Sequence, residues 1–272
     1  MIIIRPQAGL GNRLRALDSA VHLSKELNMP LQIKWVRNKD CNCAFFDLFE
    51  LTDSFNVIET SGFVRDNGKA EKMLGPLQRL FIKWTEGLST GVYFNDQIVA
   101  MKQEPEFWKQ FTQFDKVYIQ TETSFMTGDK PFYYLKPNTF IKQAVDDITE
   151  PFNDNTMGIH IRRRDNVNAT AHSPTELFIE KMNKAVDAHR ETNFFLATDA
   201  ESEEAKLKTV FGKKIITYAK RSYDRNSTKA IQDALIDMLC LSCTKKIIGS
   251  YYSSFSEIAA QFGGIELEVM QK

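Results

Sequence analysis

With 35 lysines and arginines against 35 aspartates and glutamates in 272 residues, the chain has no net charge. That excludes a protein drawn to nucleic acid or an anionic membrane by its overall field, so any anion site must be local. A hydrophobic content of 43% and a charged content of 26% are those of an ordinary globular protein, and the length suits one large domain or two of about 100–150 residues each.

In chain order, MIII reads as a buried strand that begins at once, PQAGLGN as a turn, and RLRALDSAVHLSKELNM as a helix with Leu14, Leu17, Val21 and Leu27 on one face. Pro30 ends the helix, and LQIKWV alternates like a strand. The opening therefore predicts a right-handed βαβ unit. CAFFDLFEL is apolar and aromatic, residues 70 to 115 mix aromatics, charges and broken helical patterns, and KVYIQTET reads as a strand. Polar and turn residues cluster in ITEPFNDNT, residues 148 to 156, which places the domain boundary near 150. The second half is plainer. MGIHI, NFFLATD, KIITY and KKIIGS read as strands. They alternate with helices in SPTELFIEKMNKAVDAHR, ESEEAKLKTVF, KAIQDALIDMLCLSC and the serine-capped, glycine-stopped SSFSEIAAQFGG. This is the pattern of a doubly wound, mostly parallel sheet.

The start of the chain lacks a signal-peptide pattern and no run of about 20 apolar residues occurs, which gives the expectation of a cytoplasmic protein. Cys41 and Cys43 in CNC and Cys240 and Cys243 in CLSC could jointly offer four thiolates to zinc, but the spacing is unusual and the second pair lies in an apolar helical run. Buried free thiols are the favoured reading.

In an open parallel sheet, ligands bind beyond the carboxyl ends of the strands. After MGIHI come Arg162, Arg163, Arg164 and Asp165; after NFFLAT comes Asp199; after KKIIGS come Ser253 and Ser254 at a helix start; after MIII comes the loop of Gly9, Gly11 and Asn12. Arginine offers planar, permanently charged donors suited to phosphate, and a helix N-terminus offers free N–H groups. Surface ion pairs are the plainer alternative, strongest for Arg164, with Asp165 or Asp199 as partner. GLGNRL is neither a full G-x-G-x-x-G nor a P-loop, so alone it indicates only a tight turn from strand to helix.

HIRRRD fits H-x-R-R-x-D and resembles the signature of the nodulation, core alpha-1,6 and protein-O-fucosyltransferase superfamily. GLGNRLRAL looks like the family's N-terminal Gly-Asn loop, FLATD like its aspartate-ended strand, and LIDMLCLSCTKKIIGSYYSSFSEIA like its last helix, strand and serine-rich turn, all in the family's order. The resemblance covers both ends of the chain and the second half; residues 45 to 150 match nothing. It implies an α/β GT-B fold, with two Rossmann-like domains facing a cleft. Residues 1–150 would form the acceptor-side domain and 151–272 the domain that binds the donor nucleotide. It implies an inverting transfer from GDP-fucose to a glycan hydroxyl, with no metal and no cofactor beyond the donor. Arg162, with Arg163 beside it, would stabilise the leaving diphosphate. His160 and Asp237 would hold guanine, Asp199, Ser253 and Ser254 would meet ribose or phosphate, and Gly11 and Asn12 would face the donor from the first domain.

Two departures stand out. Where the core enzymes carry a glutamate shortly after the arginines, this chain has Thr170. The general base is therefore open among Asp165, Glu176 and His172. The membrane anchor and stem of secretory members are also missing, which fits a cytosolic enzyme acting on glycan or on a lipid-linked oligosaccharide approached from the membrane surface, with no nucleic-acid partner. Two other readings stay open: the same fold with another GDP- or UDP-sugar, and a nucleotide- or glycan-binding protein without catalysis. Trp84, Tyr93, Phe107 and Trp108 would form either a sugar-stacking wall or core.

Overall fold

The computed structural model describes residues 1–62, 75–164, 167–224 and 226–272. The chain divides into two compact units, Met1–Lys136 with Asp224–Ile231, and Pro137–Tyr223 with Gln232–Lys272.

The first unit holds β1 (Ile2–Pro6), α1 (Leu10–Glu26), β2 (Leu31–Arg37), β3 (Asn56–Ser61), α2 (Gly75–Glu86), β4 (Gly91–Phe94), α3 (Asn95–Met101), a 3-10 turn over Pro105–Gln113 and β5 (Val117–Thr121). The described strands form one parallel sheet in the order β3-β2-β1-β5-β4. Ile2, Ile3 and Ile4 are fully buried in its central strand, as the apolar run predicts for a strand covered on both faces. The expected βαβ opening is β1, α1 and β2. The unmatched middle of the sequence supplies the edge strands β3 and β4. Its aromatics are chiefly core: Trp108 and Phe111 are buried, and Tyr93, Phe107, Phe111 and Trp108 pack ring on ring at 4.7–5.8 Å. Trp84 is 77% exposed.

The turn after β1 is built around an arginine as much as around its glycines. Ala8, not Gly9 or Gly11, takes the left-handed conformation, at φ 62°. The buried Arg13 closes the loop, donating from Nε to the Ala8 carbonyl (2.8 Å), from Nη1 to the Val36 carbonyl (2.6 Å) and from Nη2 to Asn38 Oδ1 (3.0 Å).

The second unit holds α4 (Thr139–Thr149), β6 (Met157–Ile161), α5 (Val167–His172), α6 (Thr175–Ala188), β7 (Phe194–Thr198), α7 (Glu201–Phe211), β8 (Ile215–Ile216), most of α8 (Thr228–Ser242), β9 (Lys246–Ser250), α9 (Ser254–Gly263) and β10 (Glu266–Met270). Its described strands form a second parallel sheet, β10-β9-β6-β7-β8. Ile159, Ile161, Phe194, Leu196 and Ile248 of the sheet pack with Phe178, Met182 and Leu207 of the helices in one buried cluster. Each such side chain contributes about 1.5–3 kcal/mol by leaving water. The turn cluster at 148 to 156 lies inside this unit, which begins at Pro137 because α4, capped by Asn138 Oδ1 on the Ile141 N–H (3.0 Å), buries Ile141 and Val145. Two strand expectations change. KIITY pairs only over Ile215–Ile216, and β10, not foreseen, adds an edge strand after α9.

Gly249 sets how closely α9 approaches β9, since a Cβ there would lie 2.7 Å from Ser256 Oγ. Cys41, Cys43 and Cys240 are buried free thiols and Cys243 is an exposed one. Among the described residues no group of three or more His, Cys, Asp or Glu side chains is placed to hold a metal. No described helix is long and apolar enough to cross a membrane.

Candidate functional site

The expected crevice elements of the second unit converge at the carboxyl edge of its sheet. β6 is central, so the residue after it lies between the ends of β7 and β9. The Arg162 N–H donates to Ser250 Oγ (3.0 Å), and that hydroxyl donates back to the His160 carbonyl (3.3 Å). From the other side, Asp199 accepts from the Arg163 N–H (2.8 Å) and the Arg164 N–H (3.3 Å), and pairs with Arg162 Nη1 at 2.9 Å. The chain leaving β6 is thus clamped by a serine on one neighbouring strand and an aspartate after the other. The Arg162 side chain keeps 22% of its surface exposed.

The three arginines part company here. Arg163 is tied into the protein: its Nε donates to Glu203 Oε1 (2.9 Å), its Nη2 to Thr175 Oγ1 (3.0 Å) and its Nη1 to the Arg162 carbonyl (2.9 Å). Thr175 Oγ1 in turn donates to Glu203 Oε2 (2.7 Å). This network makes Arg163 a brace between β6, α6 and α7. Arg164 is exposed, with its guanidinium 4.6 Å from the centre of the Tyr223 ring. Arg162, paired with Asp199, keeps part of its side chain exposed at this edge. Asp165 lies outside the described residues.

Beneath this edge lies a buried polar group. His160, 5% exposed, stacks on Phe255 at 4.7 Å, and its Nδ1 has no hydrogen-bond partner among the described residues. Burial, then the positive charges of Arg162, Lys220 and Arg163, push its pKa down to about 3, so the ring is neutral at physiological pH. Asp237, on α8, is 3% exposed and pairs with Lys220 Nζ at 2.9 Å through Oδ2, while its Oδ1 is unpartnered. Burial lifts its pKa to about 6 against the pull of Lys220. Burial opposes the Lys220 charge as well, but the attraction of Asp237 outweighs it and the ammonium's pKa is raised. The pair is ionised at neutral pH. Unpartnered buried polar atoms are uncommon in native proteins, and this cluster gathers them on residues expected to grip a base.

His160 makes a pH prediction. Between about pH 6.5 and 3 the unfolded chain binds a proton at this histidine that the folded chain refuses, so its contribution falls as pH falls, by up to about 1.4 kcal/mol per pH unit. His160→Gln removes that penalty. The melting temperature of the variant relative to wild type should rise steadily as pH is lowered from 6.5 to 4.5; a difference independent of pH would contradict the neutral, buried ring.

Ser253 and Ser254 begin α9. Ser253 is buried at the N-cap, yet its side chain makes no capping bond, and the preceding Tyr252 takes φ 59°. The helix start is thus not serine-capped as expected. Ser256 Oγ instead donates to the Ser253 carbonyl (3.2 Å). Of the candidate bases, Glu176 is exposed on α6 and paired with Lys206 (2.8 Å), and His172 is exposed with its ring 5.2 Å from that of Tyr251. Thr170, where the glutamate was missing, donates to the Arg163 carbonyl (3.2 Å).

In the first unit, Gly11 and Asn12 fall in the first turn of α1. Asn12 Nδ2 donates to Glu122 Oε2 (3.3 Å), just beyond β5. Sequence reasoning passed over Glu122, Ser250 and Lys220. Ser250 ends a recognised strand and could have been found by asking what neighbours the end of β6; nothing in the spacing of KIITYAKRSY marks Lys220.

Two Rossmann-like units, each with a five-stranded parallel sheet among its described residues, define a GT-B fold. The solved structures it resembles include fucosyltransferase NodZ from Bradyrhizobium, with a TM-score of 0.62 and 18% identity over 95% of this chain and 91% of that one. NodZ alpha-1,6-fucosyltransferase has also been co-crystallised with GDP and soaked with GDP-fucose. A mutant of Arabidopsis thaliana FUT1 in complex with GDP matches with a TM-score of 0.62 and 14% identity over 98% of this chain and 69% of that one. POFUT1 in complex with GDP gives 0.53 and 12% over 99% and 98%. No family model and no curated protein matches the chain.

Proposed function

We propose that the protein is an inverting glycosyltransferase that moves fucose from GDP-fucose to a glycan hydroxyl without a metal. The observation that carries this reading is the edge of the second sheet, where Arg162 stands above the buried, partly unpartnered His160 and Asp237. It is supported by the GDP-bound fucosyltransferases that share the fold. The chemistry follows from the residues. Asp237 accepts from guanine N1–H and N2–H₂, a pattern adenine lacks. The N–H groups at the start of α9, with Ser253 and Ser254, face phosphate oxygens, as helix N-termini do. As the sugar–phosphate bond breaks, charge accumulates on the diphosphate, and Arg162, held in place by Asp199 and Ser250, stabilises it. Arg163 and Asp199 act by positioning Arg162. The acceptor hydroxyl needs a base; of the described candidates, Glu176 is engaged with Lys206 and His172 is exposed beside Tyr251. A glycan or lipid-linked oligosaccharide as acceptor and a cytoplasmic setting complete the reading, on the sequence alone.

Donor hydrolysis tests it. In EDTA and without acceptor, the protein should release GDP from GDP-fucose faster than from GDP-mannose or UDP-N-acetylglucosamine. Release from another sugar nucleotide would move the donor assignment. GDP binding with no turnover of any donor would favour a protein that binds and does not catalyse.

A further inference from the structure

The strongest unexplained feature is Lys220. It lies in the segment between β8 and α8, its side chain is 7% exposed, and its ammonium pairs with a carboxylate that is itself 5% exposed. Nζ lies 2.9 Å from Asp237 Oδ2 and has no second acceptor among the described residues. The neighbouring Asp237 Oδ1 and His160 Nδ1 are unpartnered as well. The segment is held firmly around it. The Arg221 N–H donates to Asp233 Oδ2 (2.6 Å) and Arg221 Nε to Asp233 Oδ1 (2.8 Å), while Tyr223 lies 5.9 Å from Lys220 Nζ and 4.6 Å from the Arg164 guanidinium. Burying an ammonium whose remaining donors are unsatisfied is costly. Side by side, a free acceptor and free donors present the complement of a ligand edge that carries both a donor and an acceptor.

We propose that Lys220 is a specificity-determining residue that reads the 6-oxo group of the donor's purine. This rests on the GDP reading above and extends it from the carboxylate to its partner. With guanine N1–H and N2–H₂ on Asp237, the adjacent O6 falls on the side of the ammonium and accepts from it. Adenine reverses both contacts, setting an amino group against the ammonium and an unprotonated N1 against the carboxylate. The pair thus rejects the wrong purine through two mismatches, where a lone aspartate would supply one.

The test is a calorimetric titration at pH 7, where Asp237 is mostly ionised and the thio base keeps its N1–H, with GDP, 6-thio-GDP and IDP. The thio analogue keeps N1–H and N2–H₂ but offers sulfur, a weak acceptor, in place of O6; IDP keeps O6 and lacks the N2 amino group. Wild type should prefer GDP over 6-thio-GDP by about tenfold. In Lys220→Met that ratio should fall to about one, whatever loss of absolute affinity follows when Asp237, released from the pull of the ammonium, takes up a proton more readily. Lys220→Gln, which retains a neutral donor, should fall between and serves if the methionine variant does not fold. The proposal is overturned if wild type does not distinguish the oxo from the thio base, if Lys220→Met weakens both equally, or if it tightens GDP, which would make the lysine a plug. Failure of folded wild type to bind any of the three nucleotides would instead remove the GDP reading, and this proposal with it.

Discussion

Replacing Arg162 by alanine should lower donor turnover by about 10²–10³-fold, the cost of losing one fixed donor aimed at developing charge. The effect should fall mainly on the chemical step, with a smaller loss of GDP affinity, because the diphosphate gains charge as the sugar leaves. The fold should survive, since the bond that fixes the backbone here runs from the Arg162 N–H to Ser250 Oγ and needs no side chain. Arg162→Lys keeps the charge but not the planar fork, and should recover only part of the activity. The same change at Arg163 should behave differently: that side chain is spent on Glu203 and Thr175, so its loss should lower stability and misplace Arg162. Steady-state GDP release together with thermal melts distinguishes the two. An Arg162→Ala variant with wild-type turnover would leave the arginines as structural ion pairs.

The largest effect on stability is expected at Asp237. Asp237→Ala strands the Lys220 ammonium in a site that is 7% exposed, and breaking a buried pair from one side costs about 3–5 kcal/mol. The double change Asp237→Leu with Lys220→Met removes both charges and should restore most of that loss, because a packed apolar pair replaces an ion pair at little net cost. It should not restore GDP binding, which needs the carboxylate. Denaturant unfolding and GDP titration of the three proteins resolve these expectations. If Asp237→Ala is as stable as wild type, the pair is not buried as described; if the double variant binds GDP normally, the carboxylate is not part of the donor site.

The legible parts of the sequence are those where burial is two-sided. MIII, MGIHI and FFLAT are continuous apolar runs because their strands lie in the middle of parallel sheets. The edge strands β3 and β10, with no fully buried residue in either, carry no comparable signal, and both were missed. The same logic governs the site. Arg162, Asp199, Ser253 and Ser254 could be placed because they follow recognised strands. His160 and Asp237 came only through the resemblance, and their burial and missing partners are properties of packing. Lys220 carries no sequence signal because its pairing with Asp237 is a tertiary contact across two elements. Arg163 stands beside Arg162 in the sequence, but its bonds to Glu203 and Thr175, on two different helices, are tertiary contacts that the sequence does not display.

The most direct measurement is a metal-free calorimetric titration of GDP, UDP and ADP into wild type and Arg162→Ala. The account predicts that GDP binds, that UDP and ADP bind at least about tenfold more weakly through loss of the Asp237 contacts, and that GDP affinity falls in the variant. Absence of GDP binding, or equal binding of all three nucleotides with and without Arg162, would contradict it.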